Sequence, residues 1–212
     1  MTDKHFKLRE DLSITFLGRK LFRIEATKDI KKHNVKAGDI GGYIEKEDNL
    51  SGNAWVSGNA WVSGDAKVWG DAKVSGNAWV SGDAKVWGDA KVWGNAKVYG
   101  DAKVYGNAKV WGNAEVWGDA KVSGDAWVYG DAEVCGDTIS KSDDLYNITS
   151  NSQYNITILP HSIKIGCQFH KKEDWWNFTD REIIEMDGKA ALKWWRVWKP
   201  ILQAICEVQN DR

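Results

Sequence analysis

Proline is scarce in this chain, at 2 residues of 212, and no long apolar run occurs anywhere. Mean hydropathy of -0.51 without such a run excludes a membrane protein, and 42% hydrophobic residues with so little proline argue against general disorder. Charge of one sign is lacking too. A net charge of -1 implies neither a general polyanion-binding surface nor an acidic mimic of DNA. The 3 cysteines, Cys135, Cys167 and Cys206, are widely spaced and odd in number, against a disulfide framework and for a reducing compartment. Met1 to Glu10 is polar and resembles no signal peptide, so the expected location is the cytoplasm. A length of 212 residues leaves room for one to two domains.

What the chain has instead is glycine (21), tryptophan (14) and a repeat. From Gly52 to Cys135 it reads Gly, Asp or Asn, Ala, X, Val, X without a break, through 14 consecutive hexads. Ala and Val stand two apart, so an extended chain turns both inward and the residue between them outward. The Gly-Asp or Gly-Asn pair tolerates the backbone of a corner. Sorting the hexads by threes groups Asn59, Asn77, Asn95 and Asn113, broken by Asp131, and separately Asp65, Asp83, Asp101 and Asp119. The third class is mixed: Asn53, Asp71, Asp89, Asn107, Asp125. The same sorting collects Lys67, Lys85, Lys103 and Lys121 beside Trp69, Trp87 and Tyr105. A period of three hexads means three sides per turn, a prism of parallel strands. Its core is thin, so ladders of backbone hydrogen bonds and stacked like side chains must help to hold it. The Lys row is expected to neutralise the Asp row.

The Ala-X-Val and corner spacing resembles the hexapeptide repeat of left-handed parallel β-helices, with Val56 and its equivalents as the inward aliphatic and Ala54 and its equivalents as the small inward residue. The left hand is implied by that resemblance. More narrowly, the segment from Leu21 to Ser51, with Gly38-Asp39-Ile40-Gly41-Gly42-Tyr43, and the Trp194-Trp195 pair resemble hexapeptide-repeat proteins of phage and prophage genomes, which join such a segment to a coil and a Trp-rich tail.

An open prism end exposes strand edges and core, so caps are expected in the flanks. Residues 1–41 read as an N-terminal β cap containing a hairpin, Ser13 to Leu17 and Leu21 to Glu25, turning at Gly18-Arg19. The coil spans 42–139, opening on degenerate hexads at Ile44 and Leu50; after Cys135 the repeat fails, with Thr138 in the Ala slot. Residues 140–152 read as a polar link, and 153–212 as a hairpin (Tyr154 to Leu159, Ser162 to Gln168) followed by helices. Thr179-Asp180-Arg181-Glu182 is a capping box, Gly188 separates two helices, and Pro200 is expected to kink the second. The fold class is mainly β, a three-sided parallel β-helix with an α+β tail. In the longer helix Ala191, Trp195, Trp198, Leu202 and Ile205 recur at steps of four and three. That stripe must be covered, by the chain's own hairpin or by a second chain, which would make a homo-oligomer.

Three functional classes remain. Hexapeptide-repeat proteins include acyltransferases, whose sites, the resemblance implies, lie between coils with a His as general base. Here the coil has no His, the four histidines (His5, His33, His161, His170) lie in the flanks, and no loop interrupts the repeat. Nucleotide or nucleic-acid binding would use the Lys column beside Trp69, Trp87 and Tyr105, against 8 Lys and 10 acidic residues in the repeat, a balance of 8 − 10 = −2. Cys167 and His170 lack a second pair to complete a metal site, and no cofactor is expected. The favoured reading is a non-catalytic recognition protein presenting aromatic and charged rows to another protein, with Trp55, Trp61, Trp79 and Trp127 on outward positions. Stability ladders explain the same tryptophans equally well. A phage origin, implied by the resemblance, would make a host component, including an immune effector, the partner.

Overall fold

The computed structural model describes residues 4–16, 18–148 and 153–210. Leu17, expected to end a strand, and residues 149–152 of the expected link lie outside the described residues. The chain forms two compact units, one ending at Ser142 and one beginning at Asp143.

The first unit is a parallel β-solenoid of three faces. The Trp55 face carries Trp55, Lys73, Lys91, Lys109 and Trp127 in register; the Trp61 face carries Tyr43, Trp61, Trp79, Lys97, Glu115 and Glu133; the Lys67 face carries Lys67, Lys85, Lys103, Lys121 and Thr138. Beneath them every Ala and Val of the repeat, from Ala54 to Val134, is fully buried. Turns are joined by backbone bonds: Lys85 N–H donates to Ala102 O at 2.9 Å, Trp87 N–H to Val104 O at 3.0 Å, and Asp83 N–H to Gly100 O at 3.0 Å. At the corner Gly88 has φ +73, and a Cβ there would lie 3.1 Å from the Gly106 nitrogen of the next turn. Glycine is therefore demanded twice, by the backbone conformation and by the spacing of the turns.

The N-terminal cap extends the Trp61 face. Strands Phe6–Phe16 and Arg19–Ala26 pair antiparallel, the second pairs with Ile40–Ile44, and that strand pairs in parallel with Trp61–Val62. The first strand begins well before the expected Ser13, because Arg9 pairs with Glu25 at 2.7 Å and Lys7 with the same carboxylate at 2.8 Å across the hairpin. Gly41 is packed so tightly that a Cβ would meet Ile24 at 2.6 Å and Trp55 at 2.8 Å. Buried Asn49 closes the first turn, its amide donating to Gly64 O at 3.0 Å and Ala66 O at 2.8 Å. At the far end the coil adds one side more than the hexad pattern allows. Thr138 faces outward opposite Lys121 and Ile139 fills the Val slot, while Asp137, buried, gives the carbonyl that an Ala gives elsewhere. One residue is missing from that hexad, so counting by sixes puts Thr138 in the Ala slot when it belongs one position further on.

In the second unit the expected hairpin is part of a four-stranded antiparallel sheet, Tyr146–Ile148, Ile156–Ile158, Ser162–Ile165 and Gln168–Lys171. Tyr146–Ile148 is thus a strand and not part of a polar link, and Gln168 opens a further strand after the turn at Gly166. Helix α1 (Lys172–Asn177) buries Trp175, whose indole N–H donates to Ile163 O at 2.8 Å. Helix α2 (Asp180–Asn210) starts on the expected box, Thr179 N–H donating to the Glu182 carboxylate at 2.8 Å and Glu182 N–H to Thr179 Oγ1 at 3.3 Å. Its helical dihedrals break at Asp187 and Gly188, not at Pro200, which lies inside the helix on its exposed side.

Replacing Gly88 by Ala is expected to cost about 1–2 kcal/mol from the left-handed backbone alone, read as a lower denaturation midpoint. The cap also makes stability pH-dependent. Burial holds His5 below the ordinary imidazole value of 6.5, with its Nε2–H donating to Ala54 O at 2.7 Å. It also lowers His33, helped by Lys73 and opposed by Asp71. At these two sites the unfolded chain therefore binds protons first, so their contribution to stability is complete above pH 6.5 and is lost as pH falls below it. Melting curves on either side of 6.5 should show this loss, and a His5→Gln, His33→Gln double variant should show less of it.

Candidate interaction surface

Outward side chains stack into columns because the turns repeat every three hexads. Asn59, Asn77 and Asn95 pass hydrogen bonds along their corner, each amide donating to the next Asn side-chain oxygen at 3.4, 3.2 and 3.1 Å, and Asn113 ends the row on Asp131 at 2.9 Å. Trp69, Trp87 and Tyr105 stack at centroid distances of 4.9 and 4.4 Å with planes 3° and 4° apart. Their faces are spent on one another. Lys67, Lys85 and Lys121 are exposed and Lys103 is half-buried on the adjoining face. Among the described residues none of these four makes an ion pair; of the expected neutralisation of the Asp row by the Lys row, Lys67 adds its charge to the Lys46 contact that holds Asp65 below the ordinary carboxylate range. Four carboxylates of the coil are met by other cations, Asp65 by Lys46 at 2.6 Å, Glu115 by Lys97 at 2.8 Å, and Asp71 and Asp89 by Lys32. An ammonium ladder in water repels itself only weakly, so the row stands unpaired.

The four outward tryptophans do not share one environment. Trp55 is 2% exposed, pressed beneath the cap beside Gly41, and belongs to the core. It cannot form part of a binding surface, because the cap covers the ring itself. Trp61 is half-buried, with Phe16 edge-on at 4.3 Å and Trp79 at 4.9 Å. Both rings line a cavity of about 160 Å³ with Phe16 and Arg19 at its rim. Trp127 lies on the Trp55 face four turns further on, beyond the cap, and is 43% exposed.

Around Trp127 the structure gathers residues not singled out in the sequence. Lys109 places its ammonium 4.9 Å from the Trp127 ring centre, and Trp111 meets that ring edge-on at 5.8 Å. Trp93, Trp111 and Tyr129 stack along the adjoining corner at 5.0 and 5.1 Å, and Tyr129 is as exposed as Trp127. The period that collects Trp69 and Trp87 places Trp93, Trp111 and Tyr129 in one class as well, so the signal is present in the sequence. On the third corner Tyr99 stacks on Trp117, and burial with the Glu115 carboxylate at 3.1 Å pushes its hydroxyl well above the ordinary range.

In the second unit Ala191, Trp195, Leu202 and Cys206 are buried against Ile156, Ile158, Ile163 and Trp175, and Trp198 and Ile205 pack half-buried on the same core. The stripe offered for oligomerisation is thus covered by its own chain. A cavity of about 50 Å³ between Tyr154, Trp175, Met186 and Trp194 has room for a few waters, not for a nucleotide. Beside it the Tyr154 hydroxyl donates to Asp187 at 2.6 Å and is pushed up to about 12, first by burial and then by that carboxylate. Cys167 is exposed, and the His170 ring lies 3.2 Å from the Gln168 side-chain oxygen. Among the described residues no three His, Cys, Asp or Glu side chains converge on a metal-sized site, and no helix is long and apolar enough to cross a membrane.

Comparison of the sequence with protein-family models and with curated proteins finds no match.

The contrast between two tryptophans of one column is open to measurement. Trp55→Ala is expected to destabilise the first unit by about 3–5 kcal/mol, as loss of a buried aromatic does. Trp127→Ala should cost less than about 1 kcal/mol, both read as shifts in denaturant midpoint.

Proposed function

We propose that the protein is a non-catalytic recognition module whose rigid three-sided coil presents an aromatic and lysine patch to another protein. The observation that carries this is the exposed pair Trp127 and Tyr129, 43% each, held on a ladder of backbone hydrogen bonds with Lys109 over the Trp127 ring. Large rings on a fixed backbone lose little freedom when a partner covers them, and Trp and Tyr dominate binding hot spots. The cavity at Trp61 and Trp79 is large enough for a partner's side chain. The resemblance to left-handed hexapeptide-repeat proteins of phage extends the reading to a host protein as partner, in the cytoplasm. A second reading, binding of a nucleotide or single-stranded nucleic acid, draws on the unpaired ammonium column Lys67, Lys85, Lys103 and Lys121. A third, acyl transfer, rests on the resemblance alone.

The test is affinity capture from a bacterial host with the wild-type chain and with a Lys109→Ala, Trp127→Ala, Tyr129→Ala variant, the captured proteins being identified by mass spectrometry. A protein bound by the first and lost by the second, with folding unchanged, supports the reading. Equal capture by both, salt-sensitive binding to oligonucleotides that needs Lys85 and Lys103, or turnover of acetyl-CoA would each overturn it.

A further inference from the structure

Helix α2 carries two apolar stripes, and its own sheet covers one of them. Beyond the break at Gly188, Ala190, Trp194, Val197, Ile201, Ala204 and Val208 recur at steps of four and three, the repeat of a coiled-coil seam. At 100° per residue this seam lies about 140° around the helix from the buried face of Trp195, Leu202 and Cys206. It is open to solvent: Val197 is 62% exposed, Ile201 42% and Val208 51%, with Ala190 and Ala204 exposed as well. Trp194 stands at the edge of the seam nearest its own core: it is half-buried, stacked on Trp198 at 5.4 Å and edge-on to Tyr154 at 4.9 Å, and only its outer part is left for a partner. A run of three exposed branched residues on one side of a helix is a surface that a partner covers.

We infer that the occupant is the same helix of a second copy, running antiparallel about a two-fold axis between Val197 and Ile201. That axis sets Val197 against the partner's Ile201, Trp194 against the partner's Ala204 and Ala190 against the partner's Val208, so the outer layers pair large with small. A parallel pairing would oppose Trp194 to itself and leave the alanines facing one another. Charge points the same way. In the antiparallel arrangement Lys193 flanks the seam opposite the partner's Glu207, and the two-fold axis makes that pair twice. Both are exposed, and among the described residues neither makes an ion pair in its own chain, whereas Arg196 is engaged by Asp180 and Lys199 by Trp176 O at 2.8 Å. This pairing is independent of the recognition surface on the coil.

Sedimentation of the full chain over a range of concentrations, with circular dichroism as the control for folding, tests it. The wild type should behave as a dimer, and Ile201→Glu or Val197→Glu should raise the dissociation constant by a factor of about 100 or more. Lys193→Glu and Glu207→Lys should each weaken it about tenfold, and the double exchange should restore it. A wild type that stays monomeric, a dimer indifferent to Ile201→Glu and Val197→Glu, a higher oligomer, or single charge reversals without effect or without rescue would each overturn the antiparallel pairing.

Discussion

The spacing between successive turns governs the rest of the solenoid. Corner glycines approach one another so closely that a Cβ at Gly52, Gly70 or Gly88 would lie about 3 Å from the backbone of the next turn. With φ near +70 at each corner and a backbone bond from every outward residue to the turn beyond, the chain has one repeat length open to it. Each outward position is thereby forced above its equivalent three hexads away. Surface chemistry becomes a matter of columns, and the choice of residue at one position is a choice about its neighbours in the stack.

Columns differ in how they meet that constraint. Asn satisfies it best, because a side-chain amide donates to one neighbour and accepts from the other. Flat rings satisfy it by stacking, which consumes their faces and leaves edges to the solvent. Lysine satisfies it least, and the ammonium column survives because water screens it. Exposure along a column is then set by the ends. The cap turns Trp55 into core and half-covers Trp61, while the Trp55 face four turns on is open at Trp127.

Most of the coil is legible in the sequence because its signal is strict: Ala and Val two apart, a corner at every hexad, and a period of three hexads recoverable from Asn against Asp. The capping box at Thr179 and the break at Gly188 are legible for the same reason, being local chemistry at fixed offsets. What escapes depends on partners remote in sequence. Phe6 to Leu12 looks too charged for a strand until Lys7 and Arg9 find Glu25 across the hairpin. Asn49 is one polar residue among several until its amide meets two carbonyls of the next turn. A single missing residue before Thr138 hides the register of the last side of the coil. Trp55 looks outward because the repeat points it outward, and nothing in a hexad reports that the cap, at Gly41, lies against it. The α2 stripe through Trp195 is a surface that needs cover, and its cover is the adjacent sheet. The second stripe through Val197 and Ile201 lies one position away and is masked by the tryptophans beside it.

Because every turn presents the same Ala-Val interior and the same glycine corners to the next, the number of turns is nearly free of the identity of the ends. Removing or duplicating one block of three hexads would bring together surfaces that already match, lengthening or shortening the rod by about 4.8 Å while both termini keep their seats. A gene built this way can alter the reach of its product by slippage within its own repeats, with no intermediate that must fold around a defect.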